Sequence, residues 1–582
     1  MSNRSAGNWS CSLDERGRDA AHSSVGSGKS PGDLAFRFLD GNFEADIFLP
    51  CPFRPDTHQM KRPLIIRLLL LGAGGILCLA GWSSLYVQYG GATRPDPAGR
   101  AAAGDPIGGL TRDDLMSKGR ELLDAADFTG AIAALDRVLE RLPSDAEALA
   151  LQVRAFRALR QYGSARAAAG RILERFPLSP LAHILIGSIA VQEGDATAAR
   201  RALTRAAELD TSSAQPVAQL ASLDLMEGKI DDARRRAAQS LALDPAGATA
   251  LHILTKVTRS VPGLIALSSR LVASNPDDDL TRSWLDLLRR SGVPEVNYLA
   301  PVSGEEVVAC ERGPDGRLFT RADVHPLKNL RFLVDTGASG LVLSESRARQ
   351  IGLRLSEFSW SAGVGGARRH SHPILLPRLE VGGLRAREIL ATASELPDEI
   401  DGIINPLIFT PAGSGLTLTV VAAEPSLVVA KQRLFPASIG RRQPGGWITM
   451  PFLAENNRVL FRVVLGEAPA MALLDTGAAA DIVDRSVLLR TPGVSPLQEP
   501  ARDDLLIGFG GPVDGAAVDG SLPLRIAGAD LQSRRLFAVE LNTAPFRFQV
   551  DLDAIIGIGT LGSFDVLIDT SSGLLSFRRL AS

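Results

Sequence analysis

The sequence predicts a multidomain chain: an all-α helical repeat solenoid, then an all-β domain of two similar lobes, with one transmembrane helix near the N-terminus. Three observations carry this reading. Small and apolar residues recur at 34-residue steps between 112 and 291. The tetrapeptide Asp-Thr-Gly-Ala occurs twice, at Asp335–Ala338 and Asp475–Ala478, 140 residues apart. From Leu68 to Val87 the chain runs 20 residues without a charge.

A length of 582 residues accommodates several domains, and 45% apolar content supports real cores. A net charge of −2 offers no basic field for nucleic acid. Of four cysteines only Cys310 follows the apolar run, so no internal disulfide is expected in what lies beyond it.

Residues 1–59 are rich in Ser, Gly and Asp, lack periodicity, and read as a disordered N-terminal extension. Met60-Lys61-Arg62 looks like a natural bacterial start, which would make the upstream stretch a gene-model extension. Residues 64–87 read as a signal-anchor, because Leu68–Val87 is long enough to cross a bilayer as a helix. Lys61, Arg62 and Arg67 at its start keep the N-terminus in the cytoplasm and send the rest outside, placing the downstream domains in the periplasm. Cys78 follows Leu77 rather than a small residue, which argues against a lipidated cysteine and favours an uncleaved anchor over a cleaved peptide. Residues 88–111, with much Gly, Ala, Pro and Asp, read as a flexible linker.

In residues 112–291, Ala131, Ala165, Ala199 and Ala233 follow one another at 34-residue steps, as do Pro143, Pro177, Thr211 and Pro245. Phe128 and Tyr162 each stand three residues before the alanine, and Gly194 and Gly228 mark turns in the next two units. Apolar spacing is helical, the small residues suit helix crossings, and the prolines are read as stops for each second helix. The unit resembles the tetratricopeptide repeat. That resemblance implies a concave face for a protein partner and a degenerate capping unit near Pro276. A rigid spacer is the other reading. No acid, base or metal ligand is identified here, so the repeats are expected to recruit substrate and to be dispensable for cleavage of a short peptide.

Each Asp-Thr-Gly-Ala ends an apolar run, Phe332–Val334 or Ala472–Leu474, as a turn after a strand. One carboxylate per half is what a paired site needs. Two carboxyls about 3 Å apart cannot both ionise; one acts as acid and the other as base toward a trapped water. Downstream of the first copy come Gly363-Val364-Gly365-Gly366, apolar Ile374–Leu379 and Asp401-Gly402-Ile403-Ile404-Asn405. Downstream of the second come Ile507-Gly508-Phe509-Gly510-Gly511, Leu522–Ile526 and Ala554-Ile555-Ile556-Gly557. This order resembles the retropepsin-like aspartic proteases over residues 296–582, as a tandem pair with lobes at 292–430 and 431–582. The resemblance implies catalytic roles for Asp335 and Asp475 and a locking role for Thr336 and Thr476. It implies close approach at Gly337 and Gly477, and flaps at Gly365, Gly366, Gly510 and Gly511. None of the four tyrosines (Tyr86, Tyr89, Tyr162, Tyr298) falls in a flap, which favours the viral over the pepsin type. Asn405 departs from the pattern where Gly557 keeps it, and is read as a turn that tolerates positive φ. Ala338 and Ala478 leave the carboxylates without a neighbouring hydroxyl, so the shared proton should persist to higher pH.

Asp569-Thr570-Ser571 lacks the glycine and reads as a hairpin turn. The glycine hairpins lack the Lys-Ser/Thr ending of a phosphate loop. His370 and His372, without a third ligand, read as an exposed loop rather than a metal site. No metal or cofactor is expected. The functional expectation is an inner-membrane-anchored aspartic endopeptidase acting on proteins or peptides outside the cytoplasm. The rival is a non-catalytic scaffold whose protease-like lobes serve binding or dimerisation.

Overall fold

The computed structural model describes residues 110–580 apart from 356–358, 363–367, 432–433, 435–438, 440–443, 489–494, 497–506, 509–510, 513–515, 520–522, 527, 533–535 and 542–548. The N-terminal extension, the apolar run 64–87 and nearly all of the linker lie outside the described residues. Among the described residues no helix is long and apolar enough to cross a membrane.

The helical region follows the 34-residue period closely. Helices α1 (Arg112–Asp124), α3 (Ala146–Ala158), α5 (Pro180–Gln192), α7 (Ala214–Met226) and α9 (Ala248–Val257) start one period apart. So do α2 (Phe128–Arg141), α4 (Tyr162–Arg175), α6 (Ala196–Leu209) and α8 (Ile230–Leu243). Ala131, Ala165, Ala199 and Ala233 are each 0% exposed, as a crossing point requires. The period breaks at α9, which has 10 residues against 13 in its counterparts. Helices α10 (Val261–Ser274) and α11 (Asp279–Ser291) then close the array.

The prolines stand just beyond the helices rather than stopping them from within. Arg141 and Arg175 end their helices, and the caps Leu142 and Phe176 leave the helical region at φ −129° and −131°. A following proline disfavours the helical region in the residue before it. Asp210 takes the same shape before Thr211, at φ −135°.

The remainder is β. A nine-stranded sheet carries the first Asp-Thr-Gly-Ala and a fifteen-stranded sheet the second. The local design repeats. Gly402–Ile404 pairs in parallel with Leu327–Val334, and Ala554–Ile556 pairs in parallel with Ala468–Leu474. The halves also share strands across the 430/431 boundary. Glu305–Ala309, Ser426–Ala430 and Thr417–Val421 continue antiparallel into Phe564–Asp569, Leu574–Arg579 and Ile448–Glu455. One apolar core runs through both, with Phe332, Leu418, Phe461 and Phe577 each no more than 2% exposed. The two halves therefore pair within one chain. Asp569 ends the strand Phe564–Asp569, and Thr570 opens the hairpin turn into Leu574–Arg579, as the sequence suggested.

The repeats are not a detached module. Met226, at the end of α7, is 3% exposed in a cluster with Leu453, Leu460, Met471 and Leu473 of the second half. Ser222 Oγ donates to Gln549 Oε1 at 2.8 Å, and the Asp551 N–H donates to the Gln192 carbonyl at 3.1 Å. The repeats therefore share apolar and polar contacts with the second half.

Candidate active site

Each acid turn follows a strand whose parallel neighbour fixes it. The Asp335 N–H donates to the Ile404 carbonyl at 2.9 Å, and the Asp475 N–H to the Ile556 carbonyl at 3.1 Å. Within each turn the carboxylate Oδ1 accepts two backbone N–H groups. Asp335 takes those of Gly337 and Ala338 at 2.8 and 2.9 Å. Asp475 takes those of Gly477 and Ala478 at 2.8 and 3.0 Å. Each Oδ2 is left for the other half.

The threonines bind the two turns together. The Thr336 N–H donates to Thr476 Oγ1 at 3.1 Å and the Thr476 N–H to Thr336 Oγ1 at 3.0 Å. Their hydroxyls then donate to the carbonyls of Leu474 and Val334 at 2.9 and 2.8 Å. Both threonines are almost fully buried, so any loss would strand paired donors and acceptors. The glycines explain how close the turns come. A Cβ on Gly337 would lie 2.5 Å from Asp475 Oδ2, and one on Gly477 would lie 2.6 Å from Asp335 Oδ2. Only a residue without a side chain fits.

Electrostatics follow from this geometry. Burial raises the pKa of Asp335, and burial with the charge of Asp335 raises that of Asp475 well above the carboxylate range, the two being hydrogen-bonded. Two carboxyls in such contact titrate as a pair rather than singly. Half-buried Arg458 and Arg317 are the cations whose fields reach it: Arg458 acts on both carboxyls, Arg317 on Asp335. Burial also raises Glu455, whose carboxylate accepts the Gln549 N–H at 2.9 Å. The Cys310 thiol is pushed up to about 12 by burial, which leaves it unreactive.

Asn405 does not use the left-handed region; its φ is −82°. Its side chain acts instead. Fully buried, Asn405 Nδ2 donates to the carbonyls of Ala338 and Asn457, both at 2.7 Å, and its Oδ1 accepts the Leu407 N–H at 2.9 Å. Asn457, in the hairpin between Ile448–Glu455 and Arg458–Leu465, returns a bond from Nδ2 to the Ser339 carbonyl at 3.1 Å. Asn405 thus ties the first acid turn to the second half. Gly557 serves its own half differently: its N–H donates to Asp481 Oδ1 at 2.8 Å, and a Cβ there would lie 2.4 Å from the Ala480 carbonyl.

Gly365, Gly366 and Gly510 lie outside the described residues. Gly511 is described, paired antiparallel with Gly508 in a small hairpin of its own. In the first half, Ser359–Ala362 pairs antiparallel with Arg368–Ser371, the base of a hairpin. His370 and His372 lie on the strand Arg368–Val381 rather than in a loop, with His372 Nε2 3.6 Å from Glu345. Among the described residues no cluster of three or more His, Cys, Asp or Glu could hold a metal.

Sequence reasoning missed Asn457, which reaches the first acid turn, and Arg160 in the helical region. The Arg160 guanidinium lies 2.7 Å from Asp553 Oδ1 and 3.0 Å from Asp484 Oδ1. A signal was available for the second. Asp401 and Asp553 occupy matching places before the two Ile-Ile pairs, yet Arg347, twelve residues after Asp335, has Val487 as its counterpart after Asp475.

Residues 322–404 match the family model described as aspartyl protease, a match that ends before the second Asp-Thr-Gly-Ala. Residues 116–159 and 150–214 match a tetratricopeptide repeat model. The chain therefore carries tetratricopeptide repeats followed by an aspartyl-protease-type domain. No curated protein matches. Among solved structures, a thermophilic TPR protein of Thermus thermophilus is 18% identical, covering 31% of this chain and 99% of its own, with a TM-score of 0.28. The MamA protein is 19% identical, covering 30% of this chain and 94% of its own, with a TM-score of 0.22.

Proposed function

We propose that the protein is an aspartic endopeptidase of two lobes whose catalytic pair is Asp335 and Asp475. The observation that carries this is the mutual contact of two carboxyls, one per half, at the junction of the halves, each with its pKa raised. The ionised member takes a proton from a water held between the Oδ2 atoms as that water attacks a peptide carbonyl. The protonated member donates to the carbonyl oxygen; the carboxyl that took the water's proton then gives it to the leaving nitrogen, while the other recovers a proton from a hydroxyl of the tetrahedral intermediate as it collapses to acid and amine. Thr336, Gly337, Thr476 and Gly477 position the pair. By their place in the order of motifs, Gly365, Gly366, Gly510 and Gly511 are assigned to the flaps over the substrate.

The test is hydrolysis of an unfolded protein by the full-length chain, with and without a statine-containing peptide that mimics the tetrahedral intermediate. Cleavage indifferent to that peptide would overturn the reading, and absence of cleavage would overturn it in favour of the scaffold alternative. The apolar run Leu68–Val87 behind Lys61, Arg62 and Arg67 supports a single-pass anchor with the catalytic domain outside the cytoplasm. A reporter fused after Ser582 should then be active only outside; activity inside the cytoplasm would sink this placement.

A further inference from the structure

The two halves hold their acid turns by the same device, with one substitution of source. In the first half Asp401 is the pin. Its N–H donates to the Arg331 carbonyl at 2.8 Å, its Oδ2 accepts the Arg331 N–H at 2.8 Å, and its carbonyl accepts the Ser344 N–H at 2.8 Å. In the second half Asp553 makes the same bonds. Its N–H donates to the Met471 carbonyl at 2.8 Å, its Oδ2 accepts the Met471 N–H at 2.9 Å, and its carbonyl accepts the Asp484 N–H at 2.8 Å. Each pin immediately precedes the strand whose last carbonyl, Ile404 or Ile556, receives the N–H of the catalytic aspartate.

The remaining oxygen, Oδ1, takes a cation. For Asp401 it is Arg347 Nε at 2.7 Å, from the helix Glu345–Gln350 of the same half. For Asp553 it is Arg160 at 2.7 Å, from the turn between α3 and α4 of the repeats. The matching helix of the second half, Arg485–Leu488, has Val487 at the place of Arg347. Arg160 also donates to Asp484 Oδ1 and Ser486 Oγ, both at 3.0 Å, and its Nε lies 3.6 Å from Asp551 Oδ2. The neighbouring Tyr162 hydroxyl bonds Asp551. Side-chain exposure is 17% for Arg160 and 14% or less for all three aspartates, so water screens the cluster poorly.

Arg160 holds this place at a backbone cost. Its φ is +57°, in the left-handed region, where the later repeats carry Gly194 and Gly228; Ala126 shares the position in the first. Burial opposes its charge, but Asp553, Asp551 and Asp484 together outweigh that and keep it firmly protonated.

We infer that Arg160 is a positioning residue for the catalytic centre: the repeat array supplies to the second half the cation that the first half supplies to itself, and so fixes the strand that holds Asp475. The inference rests on the protease reading for its kinetic consequence only. The repeats are on this view a built-in part of the catalytic fold, and the second acid turn is incompletely held without them.

The test uses the full-length chain carrying Arg160→Gly, which removes the cation while giving the array the residue its left-handed turn prefers. The fold should be kept with a lowered melting temperature, because Asp484, Asp551 and Asp553 lose their cation; kcat should fall at least about tenfold, and KM should change less than about threefold. Amide exchange at Asp475 should speed up, whereas that at Asp335 stays as in the wild type. Adding Asp553→Asn keeps an oxygen for the Met471 N–H and abolishes the need for a cation, so the double variant should recover part of the lost kcat and slow the exchange again. A kcat within about twofold of wild type, with unchanged exchange at Asp475, would overturn the inference. So would failure of Asp553→Asn to relieve the defect, including a folding defect, since the arginine would then act by packing. Exchange is read whether or not the protein cleaves peptides, so an inactive wild type would sink the protease reading alone.

Discussion

Asp475→Asn is expected to lower kcat by roughly a thousandfold or more, because the amide neither takes a proton from water nor shares one with Asp335. Asp335→Asn should do the same, since each half contributes one carboxyl and the threonine bonds join them within one chain. The fold should survive: Asn Oδ1 still accepts the Gly477 and Ala478 N–H groups that Asp475 accepts now. Stability should change with pH in a definite sense. A buried carboxyl whose folded pKa is raised binds its proton more tightly in the folded than in the unfolded chain. Stability therefore falls as pH rises above about 4, the unfolded value, toward the raised folded one. The Asn variant lacks this loss. Its Tm should match wild type below about pH 4 and exceed it at pH 7. Near-full activity in either single variant would mean that active centres form between chains. A Tm advantage that shrinks as pH rises would mean that the charged pair stabilises the fold.

What the sequence disclosed was what repeats itself along the chain. The 34-residue steps of Ala131, Ala165, Ala199 and Ala233 mark helix crossings because a crossing must be small in every unit, and all four are fully buried. The paired Asp-Thr-Gly-Ala turns were legible for the same reason, since a duplicated half must repeat its acid, its lock and its close approach. What stayed hidden were contacts made once, between residues far apart. Arg160 and Asp553 are 393 positions apart, and the one hint, Val487 where the first half has Arg347, shows that a cation is missing but not which residue supplies it. Asn405 was read from its backbone tolerance, whereas its work lies in a side chain whose partner, Asn457, is 52 positions on. The mixing of strands from both halves in one sheet was hidden likewise, because β-pairing over such separations leaves no mark on the local pattern.

Deletion of residues 112–291 is expected to abolish cleavage of a short unstructured peptide and of a folded protein alike. The sequence alone suggested otherwise, that peptide cleavage would survive and only protein cleavage would suffer. The interface decides between the two. Deletion would strip Met226 from the cluster with Leu453, Met471 and Leu473, at a cost of about 2–5 kcal/mol for a buried methionine. It would leave Asp484, Asp551 and Asp553 without Arg160, and breaking one side of a buried ion pair costs about 3–5 kcal/mol. The tight seat of Gly194 against Met471, where an added Cβ would lie 2.6 Å from the sulfur, would become an exposed apolar face. Together these losses approach the whole stability of a typical domain, about 5–15 kcal/mol. The measurement is kcat/KM for both substrates, with circular dichroism to report whether the β domain folds. A deletion variant that folds and cleaves the peptide at the wild-type rate would restore the recruiting-arm reading. Equal loss on both substrates, with an unfolded or loosened β domain, means that the helical array is part of the β domain's supporting architecture.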